Sequence, residues 1–383
     1  MSEPTKSTVG VGCGKLYLVG EYAVMDPNGL AIIAGVNRYI EATTTETESN
    51  SATVYSDYYG PAGRSYRLVA GPGETDENPI EFLDWKRNGD TDMDIVAATI
   101  DVAYRVVAAR GVPRHALDIR IVSGLDDAAT GKKYGLGSSG AVAVAVARAI
   151  ATAHDVQLSS LEVFKLAFVA TLLTGAAGSG GDIACSSHGG IVAYRRPDTE
   201  AVKKLVAEDV VSSVFVPWPG LFLQARADLG GLDLAVGWTG QPVKTDTQLA
   251  RAQPSTGAGK QDTQQSEKPN VIHTFTGEVT AIAEQMWAAL AAGETAVVKQ
   301  CIQRNRELLV AYADAKGLNI ETAMLGALAD SAEEHGGVGK SSGAGGGDCG
   351  IALIDRDVDV VALHAQWARQ GIEPLEVEIA PLM

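Results

Sequence analysis

The chain has 383 residues, of which 46% are hydrophobic and 20% charged, so it can bury a sizeable interior. Because single hydrophobic cores stop growing at roughly 250 residues, this length predicts two domains. The net charge of -16 argues against a broad nucleic-acid footprint and against attachment to an anionic membrane. No run approaches the roughly 18 apolar residues of a membrane span, and the N-terminus lacks the apolar core of a secretion signal, so we expect a cytoplasmic location.

Alternating and β-branched residues predict strands in the first third of the chain. These strands are predicted at 16–19, 38–47, 52–56, 65–69 and 117–122. Apolar residues at helical spacing predict a helix over 94–110, which Gly111 and Pro113 end. The N-terminal half is therefore expected to mix helices with strands.

Two helices are predicted near the middle of the chain. The Ala- and Val-rich run 138–153 is too apolar for a surface helix and predicts a buried helix that opens directly from a glycine loop. Ser159 and Glu162 have capping-box spacing, which predicts a second helix over 160–174. Further strands are predicted at 191–194, 213–216 and 233–238.

The last third of the chain is predicted to be rich in helices. The polar stretch 251–268 lacks large apolar residues and predicts a mobile loop. Helices are predicted beyond it at 271–292, 295–314, 320–335 and 358–370, and strands at 350–354 and 375–379. We therefore divide the chain into an N-terminal lobe, 1–225, and a C-terminal lobe, 226–383.

The strongest local signal is a glycine loop, KKYGLGSSG at 132–140, that leads straight into the predicted buried helix. Such a junction exposes unpaired N–H groups and the positive end of the helix dipole, which suits phosphates. The GxxxxGK[ST] spacing of a Walker A loop and the third glycine of a dinucleotide fingerprint are both absent. Taken alone, the loop could equally be a turn that joins a strand to a helix.

Residues Gly135 to Gly140 resemble the central phosphate-binding motif of the GHMP kinases. Three further matches occur in the family's order. The segment GKLYLVGEYAV at 14–24 resembles the first motif, GSGGDIA at 178–184 resembles the catalytic aspartate loop, and KSSGAGGGDCGIAL at 340–353 resembles the third motif. The first and third motifs, together with Gly131 to Tyr134, are most similar to the phosphomevalonate kinase branch of the superfamily.

The resemblance implies an α+β, two-lobed GHMP kinase fold, with a mixed α/β N-terminal lobe and a ferredoxin-like, helix-rich C-terminal lobe. ATP and substrate would lie in the cleft between the lobes, with Mg2+ as the second cofactor. It implies Lys15 and Asp182 as catalytic residues and Ser139 as the magnesium ligand. The implied ATP-binding residues are Lys133, Gly135, Leu136, Gly137, Ser138, Ser139 and Gly140. The implied acceptor-side residues are Glu21, Tyr22, Lys132, Ser179, Lys340, Ser342, Gly343, Ala344, Gly345 and Gly346.

Two positions depart from the family pattern. Cys13 stands where the family commonly has proline. The mevalonate kinase branch also has a glutamate that shares the magnesium, on the helix before the aspartate loop, whereas no acidic residue occurs here between 165 and 181. Either Asp182 or water would then complete the metal shell.

The activity implied by the resemblance is transfer of the ATP γ-phosphoryl group to (R)-5-phosphomevalonate. The alternatives are mevalonate kinase, diphosphomevalonate decarboxylase, or a catalytically silent ligand sensor with the same fold. A phosphate monoester is already largely dianionic at neutral pH because its second pKa is about 6, so Asp182 could act as a base or could orient Lys15 and the metal. We expect a small-molecule partner, neither nucleic acid nor membrane, and a monomer or homodimer.

Overall fold

A computed structural model of the chain describes residues 7–69, 79–85, 93–176, 178–241 and 268–383, with side chains from residue 274 onward in the last range. The loop predicted over 251–268 falls outside the described residues except for its final position.

The first half of the chain is built on an eight-stranded sheet. Its strands are β1 (Ser7–Val19), β2 (Ala31–Glu46), β3 (Ser51–Tyr55), β4 (Arg64–Leu68), β5 (Ile80–Phe82), β6 (Leu117–Ser123), β7 (Ile191–Arg195) and β8 (Phe222–Arg226). The strand order is β5-β4-β3-β6-β2-β7-β8, and β1 pairs with β2 in addition. Every pair is antiparallel except β3 with β6, so the sheet is mixed.

Six α-helices accompany this sheet within the described residues. They are α1 (Ile95–Ala109), α2 (Ser138–Ala153), α3 (Ser160–Leu173), α4 (Gly181–His188), α5 (Thr199–Glu208) and α6 (Val210–Phe215). Helix α2 lies directly on β1, because Gly10 and Gly12 have no side chain to hold it away. A Cβ atom at Gly12 would lie 2.2 Å from the carbonyl oxygen of Ala141. This close approach places the N-terminus of α2 beside the middle of β1.

The second half forms a four-stranded antiparallel sheet in the order β10-β11-β9-β12. The strands are β9 (Leu232–Trp238), β10 (Val338–Ser341), β11 (Cys349–Asp355) and β12 (Glu373–Leu375). The helices are α7 (Lys268–Ala292), α8 (Thr295–Lys316), α9 (Ala323–Glu334) and α10 (Val360–Arg369). The chain passes from the first sheet to the second between β8 and β9. This point is near the division of the lobes at 225 and 226, and that division stays a prediction.

Local sequence signals placed several elements correctly. Helix α2 has the predicted limits, and the predicted capping box of α3 forms between Ser159 and Glu162. Asp94 caps α1 by accepting bonds from two backbone N–H groups of its first turn. These features are local, so a short window of sequence contains the information that specifies them.

Two predicted strands are wrong in type or position. Residues 213–216 do not form a strand, because the Asp209 side chain accepts bonds from the N–H groups of Val211 and Ser212 and so starts the short helix α6. The last strand covers Glu373–Leu375 rather than 375–379. Ile379 instead forms an isolated bridge with Val36 of the first sheet.

Candidate active site

Lys15 lies at the centre of the candidate site. It belongs to β1, just after a register shift between Cys13 and Gly14, and its side chain is half-buried. Its ammonium group donates to the carbonyl oxygen of Gly135 at 3.1 Å, and its backbone N–H donates to the carbonyl oxygen of Leu136 at 2.9 Å. Lys15 is therefore bound, by both its side chain and its backbone, to the glycine loop at 132–140, which is the second of the three glycine-rich segments and is called the second glycine loop below.

The second glycine loop wraps around the Lys15 side chain. Gly137 has a φ of 80° and is the N-cap of α2. A Cβ atom at this position would lie 2.8 Å from Cγ of Lys15, so only glycine fits. Because glycine has no side chain to cap the helix, the N–H groups of Ser138 and Ser139 are left for another acceptor. This end of α2 can therefore bind an anion beside Lys15.

Polar side chains surround the N-terminus of α2. Ser139 is exposed and Ser138 is half-buried. The exposed Lys133 donates from its ammonium group to Oγ of Ser138 at 3.4 Å. Lys132, also exposed, instead donates to the carbonyl oxygen of Gly240 at 3.3 Å. The Lys133 ammonium group thus lies at the N-terminus of α2, and that of Lys132 lies beside the end of β9.

Asp182 lies in the first turn of α4 and packs against the start of α2. Its carboxylate lies near the backbone N–H groups of Ile183 and Gly140, which favour its charged form. A Cβ atom at Gly140 would lie 2.9 Å from Cγ of Asp182, so the two motifs are in direct contact. Burial raises the pKa of this carboxyl group above its ordinary value, and the nearby positive charge of Lys15 partly offsets that rise. Asp182 and Lys15 thus place opposite charges near each other in a partly buried region.

Ser179 is fixed by two tyrosines. Its hydroxyl group lies 3.3 Å from the hydroxyl group of Tyr17 and accepts the N–H of Gly181 at 3.2 Å. The Tyr194 hydroxyl donates to the carbonyl oxygen of Ser179 at 2.6 Å. The loop that leads to Asp182 is therefore held by β1 on one side and β7 on the other.

The third glycine loop, residues 340–346, faces Lys15. A Cβ atom at Gly343 would lie 3.6 Å from the Lys15 ammonium nitrogen. The Ser342 hydroxyl donates to the carbonyl oxygen of Tyr17 at 3.1 Å, and the Tyr22 hydroxyl donates to that of Ala344 at 2.6 Å. The three glycine-rich segments thus converge on Lys15, although they lie far apart in the sequence.

The C-terminal end of the third glycine loop packs on the segment between α8 and α9. Gly345 packs on Ile320 so closely that a Cβ atom would lie 2.4 Å from the carbonyl oxygen of Ile320. The N–H of Gly346 donates to the same oxygen at 2.8 Å. These two glycines therefore anchor the loop by their backbone, while Gly343 and Ala344 are the partly exposed positions next to Lys15.

Two expected acceptor-side residues lie elsewhere than in the open cleft. Glu21 and Lys340 are buried and form an ion pair with each other. Burial lowers the pKa of the Lys340 ammonium group, and the Glu21 carboxylate partly offsets this. Because both charges are already engaged, the structure does not present them to a ligand.

Asp348 is a residue that the sequence analysis did not assign. It is buried, it has a φ of 33°, and its carboxyl group fills the space beside Gly135. A Cβ atom at Gly135 would lie 2.6 Å from Cγ of Asp348. Asn305, which binds Glu21, and Tyr17 were also missed. Tyr17 and Asp348 lie inside the first and third motifs but were given no role, and no motif includes Asn305, because each acts through a neighbour distant in sequence.

No group of three or more His, Cys, Asp or Glu side chains among the described residues could hold a metal ion. A cation at this site would therefore depend on few protein oxygens and on its ligand. None of the helices in the described part of the chain is long and apolar enough to cross a membrane.

A helix N-terminus, a lysine and an aspartate that lie close together in an α+β fold are typical of the class of proteins that bind phosphate groups. Comparison with known proteins agrees with this class. Residues 96–190 match the GHMP kinases N terminal domain, and residues 294–373 match the GHMP kinases C terminal domain. The chain belongs to the GHMP kinase family. This confirms the family resemblance stated from the motifs and the predicted fold class.

Three known proteins are similar to the chain over nearly its whole length. The chain is 35% identical to the phosphomevalonate kinase of Streptomyces sp. (strain CL190), with 94% of each chain covered. The solved structure of Streptococcus pneumoniae phosphomevalonate kinase in complex with phosphomevalonate and AMPPNP is 27% identical, covers 97% of this chain and 99% of that one, and gives a TM-score of 0.77. The Lin0012 protein from Listeria innocua is 31% identical, covers 99% of each chain, and gives a TM-score of 0.82.

Proposed function

We propose that this chain transfers the γ-phosphoryl group of ATP to (R)-5-phosphomevalonate, giving (R)-5-diphosphomevalonate and ADP in the mevalonate pathway. The similarity to phosphomevalonate kinases over nearly the whole chain supports the substrate. The observation that carries the chemistry is the convergence of the α2 N-terminus, Asp182 and the third glycine loop on Lys15.

In this reaction a phosphate oxygen of the acceptor attacks the γ-phosphorus of ATP, and the bond from that phosphorus to the β,γ-bridging oxygen breaks. Lys15 would neutralise charge on the transferred group, and the first N–H groups of α2 would hold the ATP phosphates. Lys133 would add a positive charge beside Ser138. The protein's main contribution is then alignment and charge neutralisation.

Asp182 would act as an orienting group for Lys15. The acceptor is already largely dianionic at neutral pH because the second pKa of a phosphate monoester is about 6, so little proton removal is needed. The carboxylate of Asp182 also packs against Gly140 at the start of α2, which limits its movement. Its fixed negative charge holds the Lys15 ammonium group toward the end of α2.

The donors near the α2 N-terminus fit a magnesium ion. The exposed Ser139 hydroxyl and the Asp182 carboxylate are hard oxygen ligands, and Mg2+ is commonly bound by one or two protein oxygens together with substrate phosphates. When bound there, Mg2+ would neutralise charge on the ATP phosphates. The cytoplasmic location and the monomeric or homodimeric state stay predictions.

The acceptor would bind between the second and third loops. Lys132, Ser179 and Tyr22 line this region together with the exposed backbone of Gly343 and Ala344. Ser342, Gly345 and Gly346 would support the loop by the contacts described above. Glu21 and Lys340 would then contribute to acceptor binding only indirectly.

A coupled ADP-release assay tests the proposal. Mevalonate, phosphomevalonate and diphosphomevalonate are offered separately with ATP and Mg2+, and we expect phosphomevalonate to give the highest kcat/KM. Preference for mevalonate or diphosphomevalonate would assign the chain to one of the neighbouring activities. ATP binding without ADP production from any acceptor would favour a ligand sensor.

A further inference from the structure

We propose that Glu21 and Lys340 are positioning residues, whose buried ion pair holds the third glycine loop at its working distance from Lys15. The inference rests on the proposed function for the reaction itself. It goes beyond that function by giving these two residues a role in turnover without contact to either substrate.

The pair joins three segments that are distant in sequence. Glu21 is 2% exposed and follows β1, Lys340 is 0% exposed and belongs to β10, and Asn305 is 0% exposed and belongs to α8. The Glu21 carboxylate accepts from the Lys340 ammonium group and, at 3.1 Å, from Nδ2 of Asn305. Lys340 also donates to the carbonyl oxygen of Ser341 at 2.6 Å. Glu21 is therefore the point where the first motif meets the second sheet.

Both partners lie a few residues from the centre of the site. Lys340 is three positions before Gly343, which faces the Lys15 ammonium group, and Glu21 is six positions after Lys15. The bond from Ser342 to Tyr17 and the bond from Tyr22 to Ala344 join the same two segments as the ion pair. The loop is thus attached to the first motif at three points, and the ion pair is the charged one.

Backbone conformation gives independent support. Gly20 has a φ of 105° and Tyr22 a φ of 59°, so Glu21 lies between two residues in the positive-φ region. For tyrosine this region is unfavourable and persists only where surrounding contacts impose it. The buried bonds of Glu21 and the Tyr22 hydroxyl supply those contacts. The local strain is what we expect where a segment is held in one geometry for function.

Stability alone does not account for a buried ion pair. Removing two charges from water is costly, and replacing a buried pair with apolar groups of similar volume is often neutral or stabilising. An ion pair does, however, fix the relative position of its partners through directional hydrogen bonds. Small displacements of a reacting group can lower a rate by about 10²-fold, so fixed geometry has a direct consequence for turnover.

The test compares the single variants Glu21→Gln and Lys340→Met with the double variant that carries both changes. Each single variant leaves one buried partner unmatched, and we expect its Tm to fall. The double variant removes both charges and should recover most of that Tm. Its kcat with phosphomevalonate should nevertheless stay between about tenfold and 10²-fold below wild type, with the KM for ATP within about threefold.

Lys299→Met is the matched control. Lys299 lies on α8, pairs with Asp355 at 2.6 Å and donates to the carbonyl oxygen of Gly336 at 3.4 Å, so its bonds lie outside the third glycine loop. We expect it to leave kcat at the wild-type value. A double variant with restored Tm and wild-type kcat would overturn the positioning role.

A second variant covers the case in which the double variant does not fold. Glu21→Asp keeps the charge and shortens the side chain by one methylene, so it should fold and lower kcat more than it raises KM. An unchanged kcat in Glu21→Asp would contradict the inference. If wild type turned over none of the three acceptors, the proposed function would fail instead, and the two failures are therefore distinguishable.

Discussion

The second glycine loop (132–140) and the third glycine loop (340–346) look alike in sequence but lie in different environments. Each begins with a lysine and contains two adjacent serines. In the second loop Lys133 and Ser139 are exposed, whereas in the third loop Lys340 and Ser342 are buried. The second loop thus presents its polar side chains to a ligand, and the third uses them to attach itself to the first motif.

The difference follows from what precedes and follows each loop. The second loop leads into the N-cap of α2, which has no side-chain cap, and its Lys133 and Ser139 are exposed beside that helix end. The third loop lies between β10 and β11, and its lysine is a strand residue inside the second sheet. A positive charge beside glycines therefore indicates a phosphate site only where the backbone geometry leaves that charge accessible.

The largest expected effect is a difference in the free energy of unfolding between variants of Lys340 and variants of Lys133. Lys340→Met should lower the free energy of unfolding by about 3–5 kcal/mol, because the buried Glu21 carboxylate loses its charged partner. Chemical denaturation monitored by circular dichroism measures this. Lys133→Met, which removes an exposed charge, should leave unfolding unchanged and raise the KM for ATP. Equal stability of the two variants would remove the distinction between the loops.

Lys15→Met tests the point on which both loops converge. We expect kcat to fall by about 10²–10³-fold, the range observed when one preorganised donor to a developing charge is removed. Binding of a nonhydrolysable ATP analogue, measured by calorimetry, should be retained in part because the α2 N-terminus is intact. A kcat equal to that of wild type would reject the role assigned to Lys15.

The close approach of the two loops can be tested at Gly135. A methyl group there would lie 2.6 Å from Cγ of Asp348, and the φ of 82° costs a non-glycine residue about 1–2 kcal/mol. Gly135→Ala should therefore lower both stability and kcat. Gly131→Ala is the matched control, since Gly131 has a φ of 68° but no atom within 4 Å of the added methyl group. It should lower stability only; an equal loss of kcat in both variants would show that the contact with Asp348 is unimportant.

The smallest effect concerns pH. Burial raises the pKa of Asp182 above its ordinary value of 3.8, and the proposed role requires the ionised form. Turnover should therefore be present above the raised pKa and fall as pH is lowered through it. Asp182→Asn should have a lower plateau and lack this acid limb in a kcat profile. An acid limb that persists in Asp182→Asn would assign it to another group.

Sequence reasoning succeeded where the signal is local or where several motifs agree. The limits of α2 and the capping box of α3 follow from residues within a few positions of each helix end. The family was recognised because four motifs occurred in one order. The short strand predicted over 213–216 failed because a single aspartate cap outweighed weak β propensity.

The amino-acid sequence by itself determined the family and the α+β class, since these depend on local chemistry and on motif order. Only the tertiary structure decided which charges reach the cleft. Lys340 is buried because β10 places it opposite Glu21, and Asp348 lies beside Gly135 because β11 begins at that point. Such pairings join residues more than 200 positions apart, and no window of sequence contains both partners.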